Sequence, residues 1–168
     1  QLTGEYNRAI NLVVITGGEP LRQNIENLTI ELVNCGYYVQ IETNGTIAPY
    51  NIITNTNINQ RNGCYIVVTP KTPKIHPYFQ TQACAFKYVM HHEFVNPHDG
   101  LPNSVLGMLN CVDVARPDKS FTGLIYLQAE DCGLRTNSNI ANMKAVVESC
   151  LKNGYILNLQ IHKIIGVA

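Results

Sequence analysis

The sequence is short of charge. Of 168 residues only 14% are Asp, Glu, Lys or Arg, against roughly 25% in an average globular chain, and the 12 basic side chains are matched by 12 acidic ones. Without a net positive field to release counterions from a polyanion, a dedicated nucleic-acid binder is excluded from the expected functions. No uninterrupted apolar run approaches the ~18 residues of a membrane span, and no basic segment followed by an apolar one opens the chain. Neither a membrane partner nor a secretory leader is expected, and the chain reads as cytoplasmic. The six cysteines, Cys35, Cys64, Cys84, Cys111, Cys132 and Cys150, are nowhere closer than Cys132 and Cys150. No CxxC spacing exists, and a chain long enough to bury its own core needs no disulfide framework, so free, mostly buried thiols are expected. Internal repeats, low-complexity tracts and charge runs are also lacking.

What is present is apolar periodicity. Asn11 to Thr16 is a β-branched run that ends in Gly17-Gly18-Glu19-Pro20, the pattern of a fully buried strand feeding a turn. Ile25, Leu28, Ile30, Leu32 and Val33 fall close to helical spacing, with Gly36 as the stop. Further strands are predicted over 37–43, 65–69, 85–90 and 123–128. A helix is predicted over 137–152, closed by Gly154, and a last strand over 155–162. Residues 91–110, with Pro97, Gly100 and Pro102, predict an irregular insertion followed by a short helix. Strands alternating with helices predict a parallel α/β sheet. Each polar cluster then lies at the C-terminal end of a strand, the edge where such sheets bind ligands.

Three clusters carry candidate chemistry. In Thr16-Gly17-Gly18-Glu19-Pro20 the two glycines let backbone groups approach a ligand, and the Glu19 carboxylate offers an acceptor for a ligand amine. A bare Gly-Gly pair is otherwise an ordinary turn. In Glu42-Thr43-Asn44-Gly45-Thr46 strand alternation puts Tyr38, Gln40 and Glu42 on one face and Val39, Ile41 and Thr43 on the other. Glu42 then stands at the rim of the sheet. An Asn-Gly turn accounts for Asn44-Gly45 but gives no reason for Glu42. In the last predicted strand Asn158, Gln160 and His162 form a polar stripe facing water or a ligand, and the apolar ending through Ala168 predicts a buried terminus whose carboxylate reaches the site.

His76, His91, His92 and His98 are poor metal candidates: no H-x-x-x-H spacing occurs, and the adjacent His91 and His92 are expected to point to different sides. No metal ligand and no catalytic residue is assigned, and spacing supports no Ser-His-Asp or Cys-His arrangement.

Taken in order, Val13-Val14-Ile15-Thr16-Gly17-Gly18-Glu19-Pro20-Leu21, Ile41-Glu42-Thr43-Asn44-Gly45-Thr46, Val68-Thr69-Pro70-Lys71, Leu127-Gln128 and Leu159-Gln160-Ile161-His162-Lys163 resemble the 7-carboxy-7-deazaguanine synthases, radical S-adenosylmethionine enzymes of queuosine biosynthesis. The resemblance runs from about Leu12 to Ala168. It implies a partial (β/α) barrel of the radical S-adenosylmethionine type, with residues 1–168 as the larger, C-terminal part of one such domain. It also implies a lyase that converts 6-carboxy-5,6,7,8-tetrahydropterin to 7-carboxy-7-deazaguanine, acting as a homodimer. By the same resemblance Gly17, Gly18 and Glu19 hold the methionyl amine of S-adenosylmethionine. Thr69, Pro70 and Lys71 with Gln128, Ala129, Glu130 and Asp131 cradle the rest of it. Thr16, Glu42, His162 and the carboxylate of Ala168 contact the pterin.

The family has Ser where Thr69 stands and usually Pro where Ala129 stands; both changes are mild where contacts are through the backbone. The larger departure is that the family's 4Fe–4S cluster is held by three cysteines upstream of the first glycine loop, whereas no cysteine precedes Cys35. An N-terminally truncated enzyme is therefore expected, with the cluster and Mg2+ ligands before Gln1. The alternatives are another radical S-adenosylmethionine enzyme, such as a glycyl-radical activating enzyme, which also carries GGEP, or a non-catalytic ligand-binding relative.

Overall fold

The computed structural model describes residues 11–49, 63–104 and 113–166. Among the described residues six strands, β1 (Leu12–Ile15), β2 (Tyr38–Thr43), β3 (Cys64–Val68), β4 (Ala85–Met90), β5 (Leu124–Ala129) and β6 (Ile156–Asn158), form one sheet in the order of the chain. Every neighbouring pair is parallel. Helices α1 (Glu26–Asn34), α2 (Tyr78–Gln82), α3 (Thr136–Asn153) and the single turn α4 (Ile161–Ile164) lie between or after them. When successive parallel strands are added always on the same side, crossovers of one hand carry the connecting segments to one face, and twist curls the sheet around the other.

The two faces of β2 differ accordingly. Val39, Ile41 and Thr43 are buried, with Leu21, Ile25, Phe79 and Val146 among the core side chains around them, while Tyr38, Gln40 and Glu42 look into a half-open concavity. The register carries that inner face across the sheet: Gln40 lies beside Tyr65, Glu42 beside Val67, Lys87 beside Tyr126, and Gln128 between Val89 and Asn158.

Element ends follow local chemistry. Gly36 at φ 87° and Gly154 at φ 74° take the left-handed conformation that closes α1 and α3, the latter with its N–H on the Cys150 carbonyl at 2.9 Å. Gly45 is fixed more tightly, because at φ +78° an added Cβ would stand 2.8 Å from Val68 Cγ1.

Five expectations change. The apolar ending is not buried in its described part: residues 161–166 are exposed, because the single turn α4 packs few of its side chains against the sheet. β1 is not fully buried: it is the edge of the sheet, and Leu12 and Val14 are nearly half exposed on the concave side. The last strand ends at Asn158, paired with Gln128 one residue before β5 itself stops; Gln160 is the cap position of α4 and His162 lies on that turn. Of the five described cysteines, all free, only Cys64 is buried, whereas Cys35 is exposed at the end of α1; Cys111 falls outside the described residues. Burial in the sheet pushes the Cys64 thiol up to about 12. Lastly, His91 and His92 do not diverge: the 3-10 turn His92–Phe94 brings their ring centroids to 4.5 Å.

The segment 91–104 packs on the outer face against α3. Asn142, fully buried, is the joint: its Oδ1 accepts from the His92 N–H at 2.8 Å and its Nδ2 donates to the Glu130 carbonyl at 2.9 Å. The Ser149 hydroxyl donates to the Gly100 carbonyl at 2.6 Å, and the Tyr155 hydroxyl to that of Asp99 at 2.7 Å. The short helix expected after this segment falls largely outside the described residues. Asn142→Leu keeps the branching of the side chain but leaves the half-buried His92 N–H and Glu130 C=O without their partners, so chemical denaturation should show a loss of about 2 kcal/mol. A change below about 0.5 kcal/mol would show that water replaces the side chain there.

Candidate functional site

The C-terminal ends of β1 to β5 surround a cavity of about 210 Å³ lined by Thr16, Gly17, Gly18, Glu42, Thr43, Asn44, Thr69, Lys71, Lys87, Val89 and Gln128. A second chamber of about 390 Å³ lies deeper on the concave face, with Tyr65, Val67, Ala85, Tyr126 and Asn158 in its wall. Glu42 and Lys87 line both.

The first loop is tied down by its own acid. Glu19 precedes the 3-10 turn Pro20–Arg22 and accepts from the Leu21 N–H at 3.2 Å, as an N-capping carboxylate does. The same carboxylate reaches the end of β2, accepting from the Thr43 hydroxyl at 2.6 Å and the Asn44 N–H at 2.8 Å. The Glu19 oxygens are thus engaged between two loops, and the residue is not among those that line the cavity. Thr43 continues the link, its hydroxyl accepting from the Gly45 N–H at 3.1 Å and its carbonyl from the Thr69 N–H at 2.8 Å.

Gly17 and Gly18 remain as the open part of the loop, with nothing within 4 Å of a Cβ built on either. Across the cavity the Thr69 hydroxyl oxygen is buried and has no hydrogen-bond partner among the described residues. A buried hydroxyl without a partner costs free energy unless something meets it. Glu42 is not free: Oε2 pairs with Lys87 Nζ at 2.7 Å, and Oε1 accepts from Gln40 Nε2 at 3.1 Å. Gln128 is held by Asn158, whose Nδ2 donates to Gln128 Oε1 at 3.0 Å.

The expected site residues thus divide. Thr16, Gly17, Gly18, Glu42, Thr69, Lys71 and Gln128 meet around one cavity. Pro70 is buried and does not line it. Ala129, Glu130 and Asp131 line a neighbouring recess with Asn139, Gln160 and Lys163, connected to the first through Gln128. Lys163 pairs with Asp131 and, with the Gly133 N–H, holds its carboxyl below the usual carboxylate range. His162 is exposed on α4 and lines neither the cavity nor the recess. Ala168 lies outside the described residues. Sequence reasoning missed Lys87, although a lone lysine inside the apolar strand Ala85–Met90 was a readable signal. Among the described residues no group of three or more His, Cys, Asp or Glu side chains could hold a metal ion, and no helix is long and apolar enough to cross a membrane.

Replacing Glu19 by Gln removes the charge from three hydrogen bonds and puts an amide donor where only donors face it. Charge-assisted bonds contribute about 1.5–3 kcal/mol each, so Glu19→Gln should lower stability by about 2 kcal/mol and speed amide exchange at Leu21 and Asn44. Unchanged exchange at both amides would contradict the role of this carboxylate.

No family model matches the chain. It is 33% identical, over an alignment 172 positions long, to a 7-carboxy-7-deazaguanine synthase of Rhodospirillum rubrum, covering 96% of this chain and 67% of the relative. To a 7-carboxy-7-deazaguanine synthase of Rickettsia prowazekii it is 30% identical, covering 99% of this chain and 63% of that protein. The crystal structure of QueE from Escherichia coli superposes with a TM-score of 0.56 at 20% identity, over 95% of this chain and 60% of that one, which establishes a common fold. The chain spans about two thirds of the length of the curated relatives it matches. On these similarities the chain belongs to the 7-carboxy-7-deazaguanine synthase family.

Proposed function

We propose that this chain forms the S-adenosylmethionine and pterin pocket of a radical lyase that converts 6-carboxy-5,6,7,8-tetrahydropterin to 7-carboxy-7-deazaguanine. The observation that carries the reading is the buried, partnerless Thr69 hydroxyl opposite the open backbone of Gly17 and Gly18 in one cavity. A ligand with both a hydroxyl-rich part and an amine suits that pair, and S-adenosylmethionine has a ribose and a methionyl amine. Gly17 and Gly18 would take the amine, Thr69, Lys71 and Gln128 the rest, and Ala129, Glu130 and Asp131 would extend the cradle into the adjoining recess. When bound, this cofactor supplies a hydrogen-abstracting radical; the protein contributes orientation and electrostatics.

Thr16 and Glu42 would hold the pterin. The acceptor oxygens of Glu42 suit the ring N–H and exocyclic amine of a pterin, and the apolar Val67 and Val89 suit its ring faces. His162 and the Ala168 carboxylate belong to this proposal by resemblance alone. The 4Fe–4S cluster and Mg2+ of the family find no converging ligands among the described residues, so no step is assigned to either. A homodimer and a cytoplasmic location are part of the same proposal.

Two substitutions separate the ligands in one titration-calorimetry experiment. Gly18→Ala has open space around the new methyl group and an ordinary φ, so it should leave stability unchanged while weakening S-adenosylmethionine and sparing the pterin. Glu42→Gln should weaken the pterin about tenfold to a hundredfold, the value of a charge-assisted hydrogen bond, and spare S-adenosylmethionine. Equal losses of both ligands in both variants would contradict the assignment of separate subsites.

A further inference from the structure

The Glu42–Lys87 pair is poorly explained as a device for stability. Glu42 ends β2 and Lys87 sits in the middle of β4, so the two side chains meet across β3, whose inner-face residue beside Glu42 is the buried Val67. Their side chains are only 23% and 17% exposed. Withdrawing two charges from water to that extent tends to cost as much as their attraction returns, and an apolar pair of similar volume would serve a wall that already contains Val67, Ala85 and Val89 at least as well.

What the pair does supply is direction. An ionised carboxylate has about four acceptor positions, two on each oxygen. Lys87 occupies one on Oε2 and Gln40, two residues earlier on the same face, occupies one on Oε1. One position on each oxygen is left, on a group gripped from both sides and unable to rotate without breaking a bond. Gripped this way, the carboxylate is ready for a partner with two adjacent N–H donors before that partner arrives.

We infer that Lys87 and Gln40 are positioning residues that fix Glu42 as a paired acceptor, selecting a planar ligand edge with two neighbouring N–H donors, such as the ring amide and exocyclic amine of a 2-aminopyrimidinone. The inference rests on the pterin reading and goes beyond it by giving two further residues a share in substrate selection. Neither needs to touch the ligand; both act through Glu42.

The test is a double-mutant cycle read by titration calorimetry, with 6-carboxy-5,6,7,8-tetrahydropterin and its 2-deamino analogue as probes. Lys87→Met should weaken the pterin about tenfold, and Lys87→Arg, which keeps a cation in reach, should recover most of the loss. The double variant Glu42→Gln/Lys87→Met should bind no more weakly than Glu42→Gln alone, since a residue acting through another adds nothing once the other is gone. Discrimination against the 2-deamino analogue should narrow in Lys87→Met and in Gln40→Leu. Gln40→Leu, which removes no charge, carries the same test from the other oxygen if Lys87→Met does not fold. Additive losses in the double variant, or full pterin affinity in a folded Lys87→Met, overturn the inference and leave the pterin reading standing. A wild-type chain that binds no pterin overturns both.

Discussion

One carboxylate joins the two loops on which the site is built. Glu19 begins the 3-10 turn after β1, and its two oxygens take the Leu21 N–H, the Thr43 hydroxyl and the Asn44 N–H. Thr43 hands the connection on to β3 through the Thr69 N–H. Three strand ends are thereby held in one arrangement, and Gly17 and Gly18 stay clear of other atoms without being loose. A glycine pair alone would make a flexible turn; the braced acid two residues later turns it into a shaped wall.

The fold supplies the other constraint. A parallel sheet wound in one direction has its helices on one face only, so one set of alternating side chains becomes core and the other faces a concavity. That division explains why Val39, Ile41 and Phe86 are fully buried while Gln40, Glu42, Lys87, Gln128 and Asn158 hold one another on the opposite side. Polar groups on the inner face must find partners among themselves or in a ligand. Most do so in pairs, and the Thr69 hydroxyl is left over at the rim of the cavity.

Much of this could be read from the chain, for physical reasons that also mark where reading stopped. Alternation in Tyr38–Thr43 assigned the two faces of β2 correctly, because a strand covered on one side leaves a period-two signal. β4 matched residue for residue, bounded by loop on each side. β1 and β6 were misjudged because edge strands carry apolar residues without full burial, and because a strand can extend no further than its partner. Periodicity cannot reveal which way a loop carboxylate turns, so it gives no sign that Glu19 bridges to the end of β2, where its partners lie 24 and 25 residues away. Lys87 was passed over for a related reason: its importance depends on Glu42, two strands across. The resemblance placed Gln128 to Asp131 together at one site, whereas only Gln128 reaches the main cavity and the next three residues open onto the adjoining recess.

We propose that ligands meet this chain at the strand-end cavity and not on its outer layer. Amide chemical-shift mapping of the isotope-labelled chain during titration with S-adenosylmethionine tests it most directly. Saturable shifts are expected at Gly17, Gly18, Thr69 and Gln128, with the amides of Asn96, Gly100 and Ser149 on the outer face unmoved. Shifts confined to the outer face, or none at saturating ligand, would contradict it.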